Sequence, residues 1–340
     1  MKVKELRYAL PDVAIAQAPV EPRDAARLLV ALEGGSPVHA HVRDLADCVS
    51  DGDVLVVNDT KVLPARLNLH KHTGGAVEVL LLSPIDDTHV EWEALVRPGR
   101  RVPSGTELFD DAGRGVIAVG GPSGDEGCRV VSIVGADNRA EAEAVVARTG
   151  VVPLPPYIRT PLADSDRYQT VYARDLGSVA APTAGLHLTD DVLERCIARG
   201  ATVASVTLDV GLGTFRPMTS ERVEDHHMHA ERYRVPTATL DAIAHARRVV
   251  AIGTTSLRCL EAAIASGEAT GSTELFIHGD YPFKVVDRLL TNFHLPASSL
   301  LALLDAFTGP RWRDLYRLAL REGYRFLSFG DAMFVDRRSG

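Results

Sequence analysis

Histidine, carboxylate, threonine and asparagine side chains gather with glycine in five short stretches of this chain. They are GSVAAPTAGLHLT (177–189), TLDVGLGTFRP (207–217), EDHHMHAE (224–231), AIGTTS (251–256) and LTNFHLP (290–296). An imidazole is the side chain best suited to accept and return a proton near neutral pH, which makes His187, His229 and His294 candidates for acid–base work. Thr254-Thr255-Ser256 follows an apolar run and reads as the cap and start of a helix, where free N–H groups can hold a carboxylate or a phosphate. Gly211-Leu212-Gly213 lacks the third glycine of a dinucleotide fingerprint, and Arg216-Pro217 stands where a helix should open, so that cofactor is excluded. His226, His227 and His229 with Asp225 and Glu231 are the ligand types of a metal site. The run is not H-E-x-x-H, however, and Pro236 points to a loop, so the reading favours substrate binding or proton transfer and assigns no metal.

Open α/β sheets place ligands beyond the carboxyl ends of their strands, and the elements around these stretches have that character. Residues 201–210 and 247–253 read as strands. Thr189 with Asp190-Asp191 reads as a capped helix start running to Gly200, and Leu257, Leu260 and Ile264 form the apolar stripe of a helix opening at Thr254. Residues 298–307 and 312–321 read as helices, and 324–329 as a late strand ending at Gly330-Asp331. Alternation of strands and helices implies a parallel or mixed sheet covered on both faces. Residues 74–134 differ: 76–82, 90–96, 116–119 and 129–134 are short strand patterns with turns and no helix between them, which predicts a small β-barrel. The expected organisation is a discontinuous α/β domain of residues 1–66 and 153–340, interrupted by a barrel domain of residues 67–152.

A length of 340 residues suits two cores, and 46% apolar with 24% charged residues is a globular composition. The four cysteines form no C-x-x-C pair and read as reduced core residues. No signal peptide or membrane span is written in the sequence, which points to a cytoplasmic protein. A formal charge of -8 opposes indiscriminate binding of nucleic acid, so any such role needs a local basic patch.

In order along the chain, YALPDVAIAQAP, RDAARLLV, GDVLVVNDTKVLPARL, GGAVEVLLL, WEALVRPGRRV, PLPPYI, YQTVYA, GSVAAPTAGLH, VGLGTFRP, the DH-x-MH-x-E run, FKVVD, LTNFHLP and FGDAM resemble the queuosine-pathway S-adenosylmethionine:tRNA ribosyltransferase-isomerase family. The likeness runs almost end to end and implies a Rossmann-like three-layer α/β sandwich carrying a β-barrel insert. It also implies transfer and isomerisation of the ribosyl part of S-adenosylmethionine, a co-substrate rather than a recycled cofactor. The acceptor would be 7-aminomethyl-7-deazaguanine in tRNA, and epoxyqueuosine, adenine and methionine the products. In the mechanism the resemblance implies, a base takes a proton from the carbon beside the sulfonium, adenine leaves, and the acceptor amine attacks.

Mapped onto that reaction, His187 or His294 is assigned as base, with Asp225, His229 and Glu231 positioning donor and amine. Thr183, Gly185, Asp209, Gly211, Gly213, Thr214, Thr254, Thr255, Asn292 and Asp331 are assigned to substrate binding. The densest basic set on the motif-bearing segments is Lys61, Arg66, Arg97, Arg100 and Arg101, which is assigned to tRNA phosphates; no obligate protein partner is implied. Asp209 stands where the family usually has His, Leu188 replaces Phe, Ala26 replaces Ser, and Gly279-Asp280 replaces Pro-Gly. A carboxylate in place of an imidazole changes pocket charge. The alternatives are therefore a same-fold enzyme with another acceptor, a metal-dependent hydrolase on the histidine run, and a tRNA-binding protein without catalysis.

Overall fold

The computed structural model describes residues 1–124, 127–211 and 217–338, and the chain divides into two compact units. One comprises Met1–Lys61, Pro155–Asp175 and the residues from Ala181 onward; the other comprises Val62–Leu154 and Leu176–Ala180. In chain order the strands are β1 (Arg27–Ala31), β2 (Val38–His41), β3 (Asp53–Asn58), β4 (Thr60–Val62), β5 (Arg66–Lys71), β6 (Ala76–Pro84), β7 (Glu91–Arg97), β8 (Glu107–Phe109), β9 (Gly115–Pro122) and β10 (Cys128–Ile133). Helix α1 (Arg139–Thr149), β11 (Gly150–Val151), β12 (Asp175–Ser178), α2 (Asp190–Ala198), β13 (Thr202–Leu208), β14 (Glu231–Arg234) and α3 (Thr237–Ala244) follow. The last elements are β15 (Arg248–Ile252), α4 (Thr254–Ser266), β16 (Thr270–Thr273), β17 (Arg288–Asn292), α5 (Ser299–Thr308), α6 (Trp312–Arg321) and β18 (Ala332–Asp336).

In the first unit, nine strands among the described residues form one mixed sheet, ordered β16-β14-β13-β3-β15-β17-β18-β1-β2. Its centre, β13-β3-β15-β17, is parallel. All six residues of β3 are buried, as a strand covered on both faces requires. Leu55, Val57, Val250, Ile252 and Leu290 pack on Val192 and Cys196 of α2, while α4 packs along β13, β15, β17 and β3. Register is pinned at the amino end, where Arg248 lies opposite Asp53 and grips its carboxylate through Nε (2.9 Å) and Nη2 (2.7 Å). A two-pronged Arg–carboxylate contact fixes geometry better than a single hydrogen bond.

The second unit contains a closed barrel of six antiparallel strands, β5-β6-β7-β10-β9-β8, with β8 returning to pair with β5. Alternation produces it: Trp92, Ala94 and Val96 of β7 point inward while Glu91 and Arg97 stay in solvent. Closure leaves no free edge for another chain to pair with. The four strand patterns read from the sequence are β6, β7, β9 and β10. That reading missed α1, which follows β10: Asn138 accepts the Glu141 N–H at 3.1 Å to cap it, and Ala142, Val145 and Val146 are its buried face.

Three further expectations need correction. Residues 324–329 are not a sheet strand. Leu327 has φ +70, which breaks the extended run, and Phe326 makes a lone bridge to Ile15, while the position between β17 and β1 is taken by β18. Thr254–Ser256 do not cap α4; they are its first turn, the N-cap is Gly253, and no side chain caps the end. Leu257 and Leu260 are buried as the stripe predicts, but Ile264 is 38% exposed, because the helix has by then outrun the sheet. None of the four cysteines is in a disulfide; Cys128, Cys196 and Cys259 are buried and Cys48 is half-buried. No helix among the described residues is long and apolar enough to cross a membrane.

Candidate active site

The carboxyl ends of the central parallel strands supply the polar groups. At the end of β3 the Asn58 amide splices that strand to β13, donating to Leu208 O and accepting from Leu208 N, both at 3.0 Å. Asp59 accepts from the Thr207 hydroxyl at 2.8 Å and from Arg174 at 2.9 Å. Asp209 accepts from the Thr60 hydroxyl at 3.3 Å and lies 3.7 Å from Arg232.

Asn292, the last residue of β17, is the hub of a buried network. Its Oδ1 accepts from the Thr183 hydroxyl at 3.0 Å, and its Nδ2 lies 2.9 Å from His187 Nε2 and 3.2 Å from Leu327 O. Because Nδ2 faces main-chain carbonyls it is the donating end of the amide. His187 Nε2 therefore accepts, and the imidazole proton is assigned to Nδ1.

His294 is held differently. Its Nε2 is 2.8 Å from the Thr291 hydroxyl, its main-chain N–H donates to Tyr316 Oη at 2.8 Å, and its carbonyl accepts from Tyr8 Oη. Burial pushes both phenols up, so both remain protonated and the clamp persists across the ordinary pH range.

Two adjoining hollows share Thr183, Asn292, His294 and Leu300. One reaches Tyr157 and Ser328, whose hydroxyls meet at 2.7 Å; the other reaches Gly253, Thr254 and Thr255. Gly185 backs this region, and a Cβ there would lie 2.0 Å from Tyr172 Oη, so no larger residue fits. Three of the five polar stretches thus meet in one place, and His187 stands behind Asn292 rather than in either wall.

Desolvation drives both buried imidazoles down from 6.5 to about 3, with Arg325, Arg167 and Arg23 adding to the effect at His187. Between pH 6.5 and 3 the unfolded chain binds these two protons and the folded chain does not, so stability falls as the solution is acidified through that window. Each group contributes a slope of about 1.4 kcal/mol per pH unit. Urea unfolding between pH 6.5 and 5, above most carboxylate titration, should show the decline, and a His294→Gln variant should show a shallower one. A flat profile in the parent protein contradicts the burial-held neutrality of both rings.

The remaining assigned residues lie elsewhere. Glu231 is buried, accepts the Gly211 N–H at 3.0 Å and pairs with Arg258, a residue the sequence reading did not single out. An arginine inside the apolar stripe of α4 was the available signal, since a buried cation demands a partner. Asp331 spends its two oxygens on the main-chain N–H groups of Arg27 (2.9 Å) and Arg325 (2.8 Å), a structural use. Asp225 and His229 are exposed, and His226 stacks edge-on with Phe276 at 5.3 Å. Among the described residues no three His, Cys, Asp or Glu side chains are grouped as a metal site requires. Gly213 and Thr214 lie outside the described residues.

On the barrel unit, Arg97 and Glu78 are cross-strand partners and Arg66 Nε lies 3.8 Å from the same carboxylate. Arg100 and Arg101 follow on an exposed turn of 3₁₀ helix. Lys61 is exposed in the other unit.

A family model described as "Queuosine biosynthesis protein" matches residues 3–335. Proteins named S-adenosylmethionine:tRNA ribosyltransferase-isomerase from Moorella thermoacetica and Pelotomaculum thermopropionicum are 50% and 45% identical, each alignment covering 98% of this chain and 100% of the relative. A crystal structure of S-adenosylmethionine tRNA ribosyltransferase from Thermotoga maritima superposes with a TM-score of 0.55 at 33% identity, covering 97% of this chain and 99% of that one. With matched sequence from the first 3₁₀ turn to the last strand, the chain belongs to the queuosine biosynthesis protein family.

Proposed function

We propose that this chain is a cytoplasmic enzyme that transfers and isomerises the ribosyl group of S-adenosylmethionine onto 7-aminomethyl-7-deazaguanine in tRNA, releasing adenine and methionine and leaving epoxyqueuosine. What carries the reading is full-length likeness, up to 50% identity, to proteins named for that reaction. The mixed sheet flanked by α2 and α4 is taken as the Rossmann-like sandwich of the family, and the hollows at its strand ends as the place of the sulfonium donor.

Within them His294 is the base. It lines both hollows, burial keeps it unprotonated, and its main chain is fixed by two tyrosines. His187 is a positioning residue, since its accepting nitrogen is occupied by Asn292, which in turn orients the Thr183 hydroxyl. A base held neutral by desolvation gives up its captured proton readily, which suits delivery of that proton to departing adenine. Glu231 acts through Gly211, fixing the start of the glycine stretch.

The test is direct: incubate the protein with S-adenosylmethionine and tRNA bearing the deazaguanine, and analyse for adenine and the modified nucleoside by mass spectrometry. A parallel incubation with the free base distinguishes the reading in which Asp209 marks a different acceptor. Absence of adenine in both would overturn the assignment.

The tRNA is proposed to lie against Arg100 and Arg101, with Arg66 and Arg97 on the same unit. Removing two cations that neutralise phosphates should lower the slope of log affinity against log salt by about one to two. The Arg100→Ala/Arg101→Ala variant is therefore expected to bind tRNA more weakly at low salt, and with a flatter salt dependence, than the parent. An unchanged slope moves the tRNA surface elsewhere.

A further inference from the structure

We infer that the amino end of α4 is a carboxylate cradle, and that it takes the α-carboxylate of the amino-acid portion of the sulfonium donor. This rests on the proposed use of S-adenosylmethionine and adds where one end of that molecule is held.

The first turn of a helix leaves its N–H groups without intrahelical partners, and a side chain normally supplies one. Here none does. The main-chain N–H groups of Thr254, Thr255 and Ser256 have no partner among the described residues, and Gly253 has no side chain to offer. The Ser256 hydroxyl turns away to donate to Ile252 O at 2.8 Å. Thirteen residues of aligned peptide dipoles place partial positive charge at this end.

A second, independent feature points the same way. Thr255 lines the hollow and is only 7% exposed, yet its Oγ1 has no hydrogen-bond partner. A buried hydroxyl left unpaired is costly, and a ligand oxygen would satisfy it. Gly253, at φ +91, has a backbone conformation that other residues rarely adopt, and with no Cβ it leaves main-chain donors open to close approach.

The hollow is also lined by Thr183, Thr291, Asn292 and His294, and among the described residues no Asp or Glu lines it to repel an anion. Among the described residues no Lys or Arg lines it either, so the recognition they offer is by neutral dipoles, which suits a single carboxylate on an otherwise cationic ligand. A tRNA phosphate has the same oxyanion chemistry, but the hollow lined by Thr183, Leu300 and Gly253 is small, and the carboxylate is the better fit.

Binding to the full-length protein by calorimetry tests this, using S-adenosylmethionine and its decarboxylated analogue as probes. The parent protein is expected to bind the carboxylated donor at least about tenfold more tightly. Thr255→Val keeps the side-chain shape and should lose most of that discrimination, while Thr255→Ser, which keeps the hydroxyl, should restore it. Equal affinity of the parent for both probes overturns the cradle while leaving the proposed reaction standing, provided adenine is still released. Undiminished discrimination by Thr255→Val overturns it as well, as does weakened tRNA binding in that variant with donor affinity unchanged, which would make the oxyanion a phosphate. Failure of the parent to bind either probe removes the proposed reaction and the cradle together.

Discussion

Replacing His294 with alanine is expected to slow adenine release by about 10²- to 10⁴-fold, the usual worth of a well-placed base. The fold should survive, because the hydrogen bonds that fix this residue to Tyr8 and Tyr316 run through its main chain and remain in the variant. The side chain itself makes one hydrogen bond, to Thr291, and that hydroxyl borders the hollow. His187→Ala should behave differently. Removing it frees the Asn292 amide to turn, which disturbs the Thr183 contact and should raise KM for the donor more than it lowers kcat. Near-normal turnover by His294→Ala removes it as the base, and near-normal turnover by both variants removes the whole assignment. If His187→Ala instead shows the larger loss in kcat with KM unchanged, the two histidines exchange roles. The circular dichroism of each variant should match the parent.

Much of this arrangement can be read from residues alone, for reasons that differ by element. Helices α2 and α5 open on Thr189 and Ser298, side chains that accept an N–H of the first turn, so their starts are written locally. The barrel strands alternate because one face must fill a small interior, and a period of two is visible without knowing which strands pair. The errors arise where distant parts decide. Residues 324–329 have the composition of a strand, yet the neighbouring sheet position belongs to residues 332–336, and only tertiary pairing settles which segment is used. The strand β5 alternates like its neighbours, with Leu67 and Leu69 inward and Asn68 outward, but its buried pair of leucines is too short a run to stand out from the segment that precedes it. Helix α4 hides its own logic: its N-terminal threonines look like caps, and only the three-dimensional surroundings reveal uncapped donors facing a hollow.

The site divides in the same way. That glycine-rich stretches at strand ends would carry polar side chains followed from the sequence, and three of them do meet. That Asn292 would bind His187 across 105 residues did not, because no local pattern encodes a contact between two loops. Carboxylates are the hardest case. Asp331 and Glu231 read as ligands for substrate by type and position, whereas the folded chain uses one to hold two backbone amides and the other to balance a buried arginine. A carboxylate is equally good at both tasks, so its residue type cannot choose between them.

The buried pair carries the second large effect. Arg258 and Glu231 are each 4% exposed at their side chains; Arg258 Nε also donates to Leu275 O at 3.1 Å, and the other Glu231 oxygen accepts the Gly211 N–H at 3.0 Å. Removing one member takes away the short ion pair that offsets burial of the other charge, a loss that typically costs about 3–5 kcal/mol. Arg258→Met is therefore expected to lower unfolding free energy by about that amount in urea titrations, with Glu231→Gln costing somewhat less because the amide can still accept from Gly211. The double variant Glu231→Gln/Arg258→Met should recover part of the loss, since both buried charges are gone, and the two single effects should fail to add. Activity should fall in Arg258→Met even at temperatures where the chain stays folded, because the carboxylate that holds the Gly211 amide loses the cation that fixes it. If instead the single effects are small and additive, the two side chains do not form a desolvated pair, and Glu231 is free to serve the substrate directly.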